Sequence, residues 1–398
     1  MLFNSLAFFV FLPVVVAIYW RLPHRGQNRF LLAASYLFYG WWDWRFLGLI
    51  ALSTVVDFYV GQRVHDTREE RPDKAKRWVA LSVATNLGIL ASFKYFNFFT
   101  ESAGALLSAI GFGVEPVLLS IILPVGISFY TFQTISYSVD IYRGELEPVR
   151  SIFDFALFVS FFPQLVAGPI ERAKVLVPQI LSERKASSVQ FQDGLNLIFW
   201  GLFKKVYVAD NLAPIVDSLF AASDPTGWQV LMAAYGFAFQ IYCDFSGYSS
   251  IARGSAKLLG VELMVNFAYP YTARNPSDFW RKWHISLSTW LRDYLYIPLG
   301  GSRGGSFATY RNLALTMLLG GLWHGATWLF VIWGAYQGAF LIAHRLMAPA
   351  LGRVPLFNQP RFSTAADAVR IFITFQFVCA GWLIFRGESL GQIGNMVE

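Results

Sequence analysis

Long uninterrupted apolar runs, parted by short clusters of charge, set the order of residues along this chain. A hydrocarbon layer about 30 Å thick takes roughly 20 helical residues to cross, so each run predicts a membrane helix. Leu2 to Trp20 is the first, uncharged until Arg21. A cleavable signal peptide carries its basic residues before the apolar stretch, so this run predicts a retained helix with Met1 outside. Phe30 to Gly61 is interrupted by Trp41, Trp42, Asp43, Trp44 and Arg45. That aromatic and charged knot suits a membrane–water interface and predicts two spans. Arg63 to Arg77 reads as a cytoplasmic loop, with six Lys or Arg against four acids. Trp78 to Phe99 and Val117 to Tyr142 predict further spans, joined through Gly111, Phe112 and Gly113, with Lys94, Asp140 and Arg143 placed to snorkel from their ends. Phe153 to Ile170 contains Pro163 and Ala167-Gly168-Pro169 and has basic residues on both flanks, which predicts a re-entrant hairpin. Spans near Leu195 to Ala213, Trp228 to Ala252 and Ala365 to Phe385 complete the series.

The runs are continuous rather than alternating, so helices are predicted and a barrel is not. The expected fold is an all-α polytopic membrane protein: one domain over residues 1–398, with about nine to eleven transmembrane helices plus re-entrant and interfacial amphipathic helices. Composition agrees. The chain has 55% hydrophobic, 18% aromatic and 14% charged residues, against about 25% charged in an average soluble domain. That excludes a water-soluble enzyme, a coiled coil and a disulfide scaffold. A net charge of +7 would suit nucleic acid, but the basic residues fall between apolar runs, where they read as cytoplasmic anchors. Cys243 and Cys379 stand far apart with no CxxC pair, so no metal site is expected.

Polar residues inside membrane segments are costly, and each is a candidate site. No Asp, Glu, Lys or Arg occurs between Arg311 and Arg345. One straight helix of that length would measure about 50 Å, too long for a bilayer unless tilted or broken. Gly320-Gly321-Leu322-Trp323-His324-Gly325 supplies the break. His324 falls about 20 Å along a helix from Arg311, near mid-membrane. Two readings stand there: a general base beside a glycine-lined break, or a histidine that bonds two helices. His24 and His65 read as solvated loop residues, and His344 as a cytoplasmic cap beside Arg345.

His284 follows Asn275-Pro276-Ser277-Asp278, a helix start. At 100° per residue, Trp280, Trp283, Leu287, Trp290, Leu291 and Tyr294 share one side of the ensuing helix, while Arg281, Lys282, Ser288, Thr289, Arg292 and Asp293 share the other. His284 sits at the seam. This predicts an amphipathic helix in the interface or along a wet cavity, whose Arg281 and Lys282 meet lipid headgroups or the phosphates of an acyl donor. Asp244, inside an apolar run, reads as a site or as an internal partner, with Arg253 one candidate. P-loop, GxGxxG-after-strand and HExxH patterns are absent, and the glycine-rich Gly300-Gly301-Ser302-Arg303-Gly304-Gly305 follows an amphipathic helix rather than a strand, so it reads as an interfacial loop.

Tyr242 to Tyr248 (YCDFSGY), Phe279 to Leu299 (FWRKWHISLSTWLRDYLYIPL) and Leu319 to Ala326 (LGGLWHGA) closely resemble the signature segments of membrane-bound O-acyltransferases. The resemblance is to their bacterial alginate O-acetyltransferase branch. Phe11-Leu12-Pro13, Ser35 to Tyr39, Pro124 to Tyr130 and Val166 to Ile170 extend it through nearly the whole chain. It implies that His324 is the catalytic membrane histidine and that His284 occupies a second, more variable position. It implies a central funnel, with an acyl donor from the cytoplasm and an acceptor hydroxyl from the far side. Members usually continue with further helices past the point corresponding to Glu398.

The expected function is an O-acyltransferase of the bacterial inner membrane. A thioester, acetyl-CoA first among candidates, donates to a hydroxyl of an extracytoplasmic polysaccharide or of a relay protein. No permanently bound cofactor and no nucleic acid is expected; membrane lipid and a polysaccharide-modifying partner are. Trp323 with the glycines would shape the acyl slot, and Asp244, Tyr248, Arg281 and Lys282 are candidate substrate contacts. Two alternatives differ in what they predict. D-alanyl transfer from a carrier protein would leave D-alanine esters on a cell-envelope polymer. A proton-coupled transporter relaying through His324, Asp244 and His284 would form no ester, but no second GGLWHG-like break matches the paired broken helices that transporters often show.

Overall fold

Helices are the only regular structure among the described residues of the computed structural model, which are 1–113, 115–166, 168–354 and 363–397. The chain forms two compact units: Met1–Leu202 with Tyr248–Met264, and Phe203–Gly247 with Val265–Glu398.

In the first unit α1 spans Leu6–Tyr19, and its N-cap Ser5 accepts a hydrogen bond from the Phe8 amide. One face buries Phe8, Phe11, Leu12, Val15 and Tyr19. The other exposes Leu6, Phe9, Val10, Val14 and Ile18. A helix that is apolar all round and half uncovered is built for lipid, not water. Next come α2 (His24–Asp43) and α3 (Leu47–Thr67), divided by a tight turn at Trp44–Phe46. The break therefore falls inside the predicted aromatic knot, where Asp43 caps the turn by accepting from the Arg45 amide.

The helix α4 (Pro72–Leu90) continues through a π-turn, Ala91–Tyr95, into α5 (Phe96–Ala109). After α6 (Ile127–Tyr142) come the short α7 (Ile152–Ser160) and α8 (Phe162–Leu165), then α9 (Ala173–Leu181) and α10 (Ser188–Leu202). Gly126 starts α6 with φ +77, and a Cβ there would meet the Leu165 carbonyl oxygen at 2.3 Å, so only glycine fits.

Polar residues tie three of these helices together. Asp57 on α3 is fully buried. Its carboxylate accepts from Ser82 Oγ and from Asn86 Nδ2 (2.7 Å) on α4, and from Ser138 Oγ (3.3 Å) on α6. The apolar core around them is largely aromatic, with Phe11, Phe38 and Phe162 in mutual ring contact.

In the second unit a π-turn, Phe203–Ala209, leads into α11 (Asp210–Phe220). The 32-residue α12 (Gly227–Leu258) follows, its residues 227–247 in this unit and its remainder in the first. Then come α13 (Pro276–Lys282), α14 (Ile285–Leu291), α15 (Gly305–His324), α16 (Trp328–Leu351), α17 (Ser363–Arg386) and α18 (Leu390–Val397). Small residues let α15 and α16 meet backbone to backbone. A Cβ on Gly321 would lie 2.2 Å from the Phe330 carbonyl oxygen, and one on Gly334 2.4 Å from that of Met317.

Among the described residues, three helical stretches are long and apolar enough to cross a membrane: His24–Thr67, Pro72–Ala109 and Ser363–Arg386. Several expected boundaries move. The charged loop over Arg63 to Arg77 is mostly helical, because α3 runs to Thr67 and proline opens α4 at once. Within Val117 to Tyr142 helix begins only at Ile127, after Pro124 and left-handed Gly126. The expected hairpin over Phe153 to Ile170 consists of α7 and α8, broken at Phe161 ahead of Pro163; Ala167 lies outside the described residues.

Candidate active site

His324 is the last residue of α15, and the chain turns at Gly325 before α16 begins. The predicted break is thus real and falls directly after the histidine. The Phe330 ring lies against Gly325, so close that a Cβ there would sit 2.2 Å from it. Aromatic rings wall His324 in: Trp323 at 5.0 Å, Trp333 at 5.1 Å, Phe385 at 5.2 Å and Phe330 at 6.4 Å between centroids.

His284 is brought to the same place. Its ring lies 5.8 Å from that of Trp323, which also touches His324, and the two imidazoles are near enough to interact electrostatically. Phe245 packs edge-on at 4.6 Å and Phe267 stacks at 6.4 Å. The residue is 1% exposed, and neither ring nitrogen has a hydrogen-bond partner among the described residues. Buried polar groups are ordinarily bonded, so two unpartnered nitrogens on one imidazole make His284 a candidate to bind substrate or water.

The backbone at His284 corrects the expected single amphipathic helix. Helix α13 ends at Lys282, and His284 takes φ 42, ψ 56 as N-cap of α14. A left-handed conformation costs a non-glycine residue about 1–2 kcal/mol. Asn266 holds it there. Its carbonyl accepts from the Ile285 amide (2.9 Å), and its Oδ1 accepts from the Ser286 amide (3.2 Å) and hydroxyl (2.9 Å). The kink turns His284 inward, which a continuous helix would have left at the seam.

The other candidates scatter. Trp323 lies between the two histidines. Asp244 pairs with Lys205 on the π-turn, not with Arg253, and Lys205 also bonds Asp210 at 2.8 Å. Tyr248 belongs to the first unit, where its hydroxyl donates to Asn4 Oδ1 at 3.3 Å. Lys282 donates to Asp278 at 3.1 Å and to the Thr272 hydroxyl at 3.3 Å. Arg281 lines a separate cavity. Sequence reasoning missed Asn266, Phe245, Phe267, Trp333 and Phe385, all of which shape the site. Of these only Phe245, inside the YCDFSGY segment, carried a signal.

Asp278 stabilises the approach to this kink. Asn275 caps α13 by accepting from the Asp278 amide at 2.8 Å, and Asp278 accepts from the Arg274 amide at 3.1 Å. Burial opposes the charge on Asp278, but that amide and the Lys282 ammonium outweigh it and hold the carboxyl below the usual carboxylate range. A depressed folded-state value contributes stability above the unfolded value of about 4, and the contribution is lost as pH falls through the folded value. Asp278→Asn should therefore cost about 1 kcal/mol at neutral pH. The loss should shrink on acidification in thermal unfolding scans. A wild-type advantage that grew below pH 4 would contradict the assignment.

The profile of the membrane-bound O-acyltransferase family matches residues 144–385. The probable alginate O-acetylase of Azotobacter vinelandii is 46% identical over all of this chain and 77% of its own length. The peptidoglycan O-acetyltransferase of Helicobacter pylori is 36% identical over 98% of this chain and 78% of its own. The teichoic acid D-alanyltransferase of Bacillus subtilis is 27% identical over 66% and 68%.

Proposed function

Since this chain belongs to the membrane-bound O-acyltransferase family, we propose that it transfers an acetyl group from a cytoplasmic thioester to a hydroxyl of an extracytoplasmic polysaccharide, directly or through a relay protein. That it is an O-acyltransferase follows from the family; the donor, the direction and the acceptor are the proposal. Its carrying observation is the convergence of His324 and His284 on one aromatic-walled site, with unsatisfied nitrogens on His284.

The chemistry follows from the groups. A hydroxyl ionises far above neutral pH and attacks a thioester poorly until a base takes its proton. His324 is that base, since imidazole titrates near neutrality. The hydroxyl oxygen bonds to the acetyl carbonyl carbon, the carbon–sulfur bond breaks, and the departing thiolate takes the proton held by His324. An ester and a free thiol result. His284 orients the substrate or passes the proton, and Trp323 shapes the acyl slot, while Gly321 serves the packing of α15 on α16. Water kept out by the surrounding rings would otherwise compete for the thioester.

Topology supports the direction. Arg21 and Arg25 follow α1, and Arg63 in the last turns of α3 clusters with Arg68 and Arg71 between α3 and α4. Lys and Arg collect on the cytoplasmic side, which supports a reading with Met1 outside the inner membrane. Acetyl transfer is preferred to D-alanyl transfer because the likeness to alginate O-acetylases is closer and covers the whole chain. The test is mass spectrometry of cell-surface polymers with and without the gene, after feeding labelled acetate. Loss of labelled O-acetyl groups from one polymer is the expected result. Loss of D-alanine esters with acetylation intact would overturn the proposal.

A further inference from the structure

A second site lies apart from the histidines. A cavity of about 700 Å³ opens between the start of α13, the later part of α16 and the early part of α17. That is within the range of roughly 300–1,000 Å³ for ligand pockets. Its walls are apolar, formed by Ala339, Phe340, Ala343 and Met347 from α16 and by Ile373 and Phe377 from α17. Its rim is basic, with Arg274, Arg281 and Arg370.

Among the described residues, cations outnumber carboxylates at this rim. Asp367 answers Arg274 (3.0 Å) and Arg370 (3.2 Å), and Asp278 answers Lys282 (3.1 Å). Four cations thus meet two carboxylates. Arg281 stands on the rim near enough to Asp278, which it shares with Lys282, to act on it electrostatically, but makes no direct hydrogen bond or ion pair among the described residues. The apolar wall is itself uncovered: Met347 is 55%, Phe377 47% and Ile373 46% exposed. Its ligand therefore needs an anionic head and an apolar tail. Arg345 and Arg353 lie toward the same end of α16, a basic clustering that belongs to the cytoplasmic leaflet. Basic pockets between helices on that side bind the headgroups of anionic lipids.

We infer that this cavity binds an anionic glycerophospholipid, its phosphate at Arg281 and an acyl chain along the α16–α17 wall. The guanidinium fork suits a phosphate, and the tail reaches the wall from the bilayer without crossing water.

Purified, delipidated protein titrated with phosphatidylglycerol, phosphatidylcholine or coenzyme A, and read by native mass spectrometry and thermal midpoint, tests the inference. Phosphatidylglycerol should be retained and raise the midpoint, and the other two should not. Arg281→Gln should weaken phosphatidylglycerol binding about tenfold, the effect of one charge-assisted contact, while Arg281→Lys retains most of it. Ala343→Trp, which fills the cavity from an exposed position, should displace the lipid without touching the rim. Equal binding of phosphatidylglycerol and phosphatidylcholine would overturn the inference, as would unaltered binding in both Arg281→Gln and Ala343→Trp. A matching shift with coenzyme A would also overturn it, by assigning the rim to a soluble phosphate.

Discussion

Replacing His324 with alanine should lower acyl transfer by about 10²–10⁴-fold, the usual contribution of a general base. The position explains the size of the effect. His324 closes α15 one residue before a glycine turn, and its ring is fixed by Trp323, Trp333 and Phe385 at about van der Waals contact. No other histidine reaches the site except His284, whose backbone is pinned by Asn266 and cannot slide to replace it. The measurement is transfer of labelled acetyl in membranes, with protein level checked by immunoblot and folding by thermal midpoint. Alanine leaves a void among the rings, so His324→Gln serves as a second variant that fills more of the space without the base. Full activity in either, at normal abundance, would remove His324 from the mechanism.

Gly334→Val should have the largest effect on stability, a loss of about 3 kcal/mol or more. The Cβ would stand 2.4 Å from the Met317 carbonyl oxygen and 3.0 Å from the Leu318 Cα, backbone atoms that no side-chain rotation can clear. Helices α15 and α16 would separate, and His324 would leave its ring of aromatics. Activity and midpoint should fall together, unlike His324→Gln, where activity alone is lost. Gly88→Ala is the control: nothing lies within 4 Å of its Cβ, so it should be neutral or slightly stabilising. A Gly334→Val protein with a wild-type midpoint would mean that the helices do not meet at this point.

What was legible in advance was whatever lipid makes expensive. Charge is so scarce between Arg311 and Arg345 that a lone histidine stands out, and the glycines beside it announced the break. Asp43 and its tryptophans marked the turn between α2 and α3 for the same reason. Illegible was whatever depended on a backbone reversal or a distant partner. The 100° periodicity through Trp280, Trp283 and Leu287 runs on as if the helix were whole, while the chain turns left-handed at His284. The residue that enforces the turn, Asn266, stands 20 positions away from Ser286, and no local pattern connects them. Asp244 shows the same limit. Arg253 was the nearer cation in sequence, but Lys205, on a π-turn of another helix, is the one within reach. Helix periodicity describes neighbours on one face and says nothing of who arrives from the next helix.

The cluster around Asp57 bears on how the protein is made. Among the described residues the Asp57 carboxyl on α3 has no counter-cation in its hydrogen-bonded shell; Ser53 on the same helix gives one long bond (3.4 Å), and the remaining donors come from α4 and α6. In lipid, unsatisfied polar groups are costly, so α3 alone, with only Ser53 to answer Asp57, is less stable in the membrane than α3 packed against α4 and α6. Ser138 lies 81 positions after Asp57, so the ribosome must deliver α6 before the shell closes. Assembly of this region is consequently a group event, and a defect in Ser82, Asn86 or Ser138 would first be seen as failed insertion, before any chemistry at His324 could be measured.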